Sequence, residues 1–205
     1  WYGIRVVDGA TRTYLQYAEL ENGLSAVEVD APGQVVELSH VTLHHNYAHG
    51  FIANNGEVRL DAVEAHHNRT GISAMQDSVI RLTNSIARNN DNDGVWIVVD
   101  GPPGNNHEIY NTTLFENDSA GIQLREGRPD EEGVEIVNTI SASNGEYGIV
   151  ETSGDPDVAL KHSNVWGNPD ENYESQFDTE AVISQRPNFE NPPTDLSLLS
   201  SDPGI

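Results

Sequence analysis

Asparagine recurs along this chain at a nearly fixed spacing, each time a few residues ahead of a small residue and an apolar one. The positions are Asn22, Asn46, Asn68, Asn90, Asn117 and Asn144, with Asn168 as a further, weaker copy, and the steps are 24, 22, 22, 27, 27 and 24. The pairs that follow are Ala26-Val27, Gly50-Phe51, Gly71-Ile72, Gly94-Val95, Gly121-Ile122 and Gly148-Ile149, and Gly3-Ile4 fits as the end of an earlier turn. A period of about 20–30 residues marks a solenoid, in which each repeat buries its apolar face only against its neighbours.

Within a repeat the apolar residues alternate, as in Val95-Ile97-Val99, Val36-Leu38 and Val58-Leu60, with turn signals at Pro32-Gly33, Asn55-Gly56 and Asp77-Ser78. Alternation at period two predicts strands, and no window keeps helical spacing. Strands this short pair with their equivalents in the next turn, parallel and about 4.8 Å away. A buried turn residue then meets its own copy above and below. Asn carries a donor and an acceptor, so copies can bond in a ladder, whereas stacked Asp would repel. The glycine is expected to supply a backbone angle that the corner needs.

The stretches "HHNYAHGFIANN", "NDNDGVWIVVD" and "NDSAGIQL", the opening "WYGIRV" and the ending "RPNFENPPTDLSLLSSDPGI" resemble right-handed parallel β-helix proteins of the pectate-lyase-like superfamily. The expected fold is all-β: a right-handed parallel β-helix of about six to seven coils over residues 1–168, with a non-repetitive tail at 169–205 packing on or capping it. The resemblance implies no single activity, because the superfamily holds lyases, hydrolases, epimerases, adhesins and inert scaffolds.

Two steps past each anchor glycine the side chain should point outward. That row reads Arg5, Glu28, Ile52, Ser73, Trp96, Gln123 and Val150, and the next outward row includes Met75, Val98 and Arg125. The apolar members form a stripe that needs a cover or a partner. The tail is the plain cover. The functional alternative is a carbohydrate platform, with Trp96 stacking on a sugar and Gln123, Arg125 and Arg128 as polar neighbours. Insertions at 100–107, 125–133 and 151–157 fall at equivalent corners and form a ridge, either tolerated surface loops or a binding edge. The best acid pair for glycoside chemistry is Glu126 with Asp100 or Glu151, though acids one or two coils apart always satisfy the spacing.

Asn89, Asp91 and Asp93 before Gly94 match the front of a calcium loop, and Asp118 stacks one coil on, so a calcium ion held by Asp91, Asp93 and Asp118 is one expectation. The His44-His45 and His66-His67 pairs stack in adjacent coils. With a further ligand from His40, His49 or Glu64 they would suit a transition metal; the plain alternative is an outward row of imidazoles.

Composition narrows the partner. The net charge is −23 with a single lysine, Lys161. Such a surface repels nucleic acid and anionic lipid, and disfavours a polyuronate. There is no cysteine, and no apolar run nears the roughly 18 residues of a membrane helix. The expectation is a secreted or cell-surface module that binds a polysaccharide or cell-surface glycan or serves in display and adhesion. It begins in mid-repeat, as part of a longer chain would. The alternatives are a polysaccharide lyase or glycoside hydrolase acting at the ridge, and a structural spacer of an adhesin.

Overall fold

A computed structural model describes residues 1–9, 12–99, 106–126, 133–153, 157–192 and 195–198. The chain is an all-β solenoid of about seven turns. Every strand pairing of the large sheet is parallel and joins one coil to the next. The chain of registers runs Ile4–Val27–Phe51–Ile72–Val95–Ile122–Ile149, so the anchors expected from the sequence do superimpose. In the first coils pairing runs almost unbroken through the turns, as between Val27–His44 and His49–His66. Parallel pairing continues past residue 168: Glu171–Tyr173 stacks on Tyr147–Glu151, and Asp178–Glu180 on Asp157–Lys161. Phe189 then folds back against Phe115, Ile140 and Ala142, and its strand makes a short antiparallel hairpin with Asp195–Leu198.

The core is the inside of the tube. Phe51, Ile72, Ile97, Ile122 and Leu124 are fully buried, as alternation predicts. One corner holds the asparagines. The side-chain amide of Asn46 donates to Asn68 Oδ1 (2.9 Å), Asn68 to Asn90 (3.3 Å), Asn90 to Asn117 (2.9 Å), Asn117 to Asn144 (3.0 Å) and Asn144 to Asn168 (3.0 Å). Each Oδ1 also accepts the backbone N–H of the preceding asparagine. The amides thus satisfy both one another and the backbone of a buried turn.

Two details differ from the sequence-based expectation. Asn22 is not in the ladder: it is exposed, and the slot below Asn46 is taken by Gly23, whose N–H donates to Asn46 Oδ1 at 2.9 Å. The first step is therefore 23 in register, and Asn22 belongs to the column beside it. That column, Asn22, His45, His67, Asn89, Glu116 and Ser143, has φ between 50° and 58°, the left-handed corner. The corner angle comes from these residues and not from Gly50, Gly71, Gly94, Gly121 and Gly148, none of which has positive φ; Gly3, at the first anchor, is the exception at 107°. The glycines are there for space. A Cβ on Gly71 would lie 2.5 Å from Gly94 O and 2.9 Å from Asn90 Nδ2, inside contact distance of the ladder itself.

Candidate functional site

Two columns that flank the anchor glycine meet on the outer face. The residue just before the glycine is His49, Thr70 and Asp93 in successive coils, and the residue two after it is Ser73, Trp96 and Gln123. All of these but Ser73, together with Ala48, Arg69 and Asn92, line a pocket of about 290 Å³. That is the small end of ligand sites, room for about one sugar ring.

Asp93 is the buried charge of the pocket, 1% exposed. It accepts from Ala120 N (3.2 Å) and Asn92 Nδ2 (2.9 Å), and the Gln123 amide, turned with its nitrogen inward, reaches both oxygens at 2.9 and 3.1 Å. Burial pushes its carboxyl up to about 6, while the Ala120 N–H and the Ser119 hydroxyl pull the other way. Burial, helped by Arg69, holds His49 below the ordinary imidazole range, so it is neutral at pH 7; its Nδ1 bonds Ser73 Oγ at 2.9 Å. Arg69 is exposed at the rim. Trp96 is half-buried, and its buried indole N–H has no hydrogen-bond partner among the described residues. An unpaired buried donor is costly and marks a place for water or a ligand.

Of the residues singled out from sequence, the pocket brings together Trp96, Gln123 and Asp93. Arg125 lies exposed in the next outward row, paired in register with Val98. Asp91 and Asp118 are exposed. Among the described residues the one group of three metal-binding side chains with converging ligand atoms is Glu21, His44 and His45, so Asp91, Asp93 and Asp118 do not form such a group. Glu151 sits half-buried at a strand end and accepts from Gln176 Nε2 at 3.3 Å. Asp100, Arg128 and the side chain of Glu126 lie outside the described residues, as does most of the ridge. The tail residue Phe189 rests on Phe115, Ile140 and Ala142, and no described tail residue lines the Trp96 pocket.

His49 and Arg69 were not tied to Trp96 by the sequence. The sequence offers His49 only as a further ligand for the histidine pairs, and Arg69 only as the residue after a ladder asparagine. The usable signal is register: the residue before the anchor glycine lies beside the outward residue two after it, one coil over.

The chain belongs to the right-handed β-helix family: residues 25–175 match the family described as "Right handed beta helix region". Among solved structures it is similar to the periplasmic alginate epimerase AlgG, with 14% identity, a TM-score of 0.68, and coverage of 91% of this chain and 48% of that one. Two point mutants of the same epimerase match at 15% and 12% identity with TM-scores of 0.66 and 0.61, covering 90% of this chain in each case and 48% and 56% of theirs. The chain thus spans about half the length of the proteins it resembles, and at this identity the likeness is one of fold. No curated protein matches the chain by sequence. Among the described residues no helix is long and apolar enough to cross a membrane.

Proposed function

We propose that this is a secreted or cell-surface β-helix module that binds a carbohydrate, with one sugar unit seated in the Trp96 pocket. The observation behind this reading is the pocket itself, where the Trp96 indole, the Gln123 amide, the Asp93 carboxyl and the Arg69 guanidinium at the rim line one sugar-sized space. Sugars present apolar ring faces and many hydroxyls, and this lining offers both kinds of partner. The likeness to an alginate epimerase supports a carbohydrate ligand. The net charge of −23 favours a neutral glycan over an acidic one.

One observation favours a second reading, a carbohydrate-active enzyme. Asp93, pushed up to about 6, and neutral His49 line the same cavity. Two titratable groups displaced from their usual ranges in one cleft are the pattern of acid–base catalysis. A glycan array run with and without calcium, followed by product analysis of each hit, separates the readings. Binding abolished by Trp96→Ala, with no new sugar ends, is the expected result. New reducing or unsaturated ends would replace the module by the enzyme. An array with no hit would overturn both and leave a structural spacer. A hit that needs calcium would return Asp91 and Asp118 to the site.

A further inference from the structure

A second cluster shares no residue with the Trp96 pocket. It lies at the left-handed corner, where Glu21, His44, His66 and Arg88 stack in register and Asn22, His45 and His67 stack beside them. Because His45 has φ 52°, the chain turns sharply between His44 and His45, and their rings meet nearly edge-on, at 84°. Their Nδ1 atoms come to 2.7 Å from each other. Glu21 Oε2 lies 3.8 Å from His44 Nδ1, and the three ligand atoms are all within 4.8 Å of one another.

We propose that Glu21, His44 and His45 bind a divalent transition-metal ion of the zinc class through one carboxylate oxygen and the two Nδ1 atoms. Two ligands each about 2.1 Å from a common ion lie no more than about 4.2 Å apart, so the Glu21–His44 and His44–His45 separations are within reach. A second, independent feature points the same way. His44 Nε2 lies 2.8 Å from Glu19 Oε1. That acceptor holds the proton on Nε2 and leaves the Nδ1 lone pair facing His45 and Glu21, the carboxylate–histidine arrangement that orients metal ligands. Both rings are also held from the next coil: His44 stacks on His66 and His45 on His67, each at 5.0 Å and within 4° of parallel.

The next histidine pair lacks these features. Its Nδ1 atoms also approach, at 2.8 Å. The side chain stacked beyond His66, however, is the cation Arg88, and Arg88 engages the nearby Glu64 at 2.7 and 3.0 Å. Cation and engaged acid together disfavour an ion there, so the site is at the Glu21 level. Two imidazoles and one carboxylate suit zinc and its first-row neighbours; calcium prefers an all-oxygen cage. His40 and His49, the other candidate ligands in the sequence, are elsewhere, against Tyr17 and Ser73.

Calorimetric titration of the 205-residue chain with zinc chloride, and separately with calcium chloride, tests this. One zinc per chain is expected, with calcium far weaker. Glu19→Gln should weaken zinc about 10–100-fold, and Glu21→Gln and His45→Asn at least as much. Asn is chosen because it accepts the left-handed corner. A tautomer measurement by nitrogen NMR adds a readout on the unaltered chain: zinc should move the His45 proton from Nδ1 to Nε2. Absence of zinc binding would overturn the proposal, as would binding untouched by both Glu21→Gln and His45→Asn, calcium as tight as zinc, or a His45 proton that stays on Nδ1.

Discussion

The asparagine column and the Trp96 pocket lie a few residues apart on neighbouring coils, and they use the repeat in opposite ways. From Asn46 to Asn168 the column holds one residue type, buried throughout, each amide bonded to its copies. The column that lines the pocket with His49, Thr70 and Asp93 changes at every step and runs on to Ala120 and Tyr147. A site that recurs unchanged solves a problem every coil shares, which here is the hydrogen bonding of a dry turn. A site that changes from coil to coil cannot be serving the stack, and it is free to be built for a ligand. In a solenoid the internal comparison of coils thus separates scaffold from candidate site.

The largest effect should come from breaking the constant column. Asn117→Ala removes the acceptor of the Asn90 backbone N–H and side-chain amide, and the donor to Ala87 O and Asn144 Oδ1. At about 1–3 kcal/mol for each buried group left unpaired, a loss of about 3 kcal/mol or more is expected in urea unfolding. Asn22→Gly, at an asparagine outside the ladder, should change stability by less than about 0.5 kcal/mol. Equal effects at the two positions would remove the distinction between them.

The next effect belongs to the variable column. The Asp93 carboxyl is pushed up to about 6 in the fold, against an ordinary aspartate near 3.9. The fold therefore favours the protonated form. The contribution from Asp93 is fully present below pH about 4 and is lost as the pH rises through about 6. Comparing wild type with Asp93→Asn at pH 4 and pH 7 isolates it from the other carboxylates. The wild type should lose up to about 3 kcal/mol relative to the variant over that interval. A difference that does not change with pH would mean that the hydrogen bonds from Ala120, Asn92 and Gln123 fully offset the burial of the charge.

Much of this was legible in the sequence, for a physical reason. The period, the anchors and the inward residues Ile72, Ile97 and Leu124 follow from alternation and spacing, which act along the chain. The misassignment of Asn22 shows the limit: a slip of one residue is invisible in steps that vary between 22 and 27, and only pairing revealed that Gly23 fills the slot. The glycine's steric role is hidden in the sequence because close approach between coils leaves no trace in a single repeat. Trp96 and Gln123 were found by counting from the anchor. Asp93 stands out by its local motif, whereas its neighbours His49 and Arg69 come from other coils. Glu21 is not legible as a metal ligand, because its pairing with His44 needs the register.

The most direct test of the account is an NMR titration of the three tryptophan indole N–H signals with whichever glycan the array identifies. The account predicts that the Trp96 signal moves, together with the Gln123 side-chain amide, while the ladder amides of Asn68 and Asn144 stay fixed. A sugar that binds while the Trp96 signal remains in place, or that shifts the ladder instead, would contradict it.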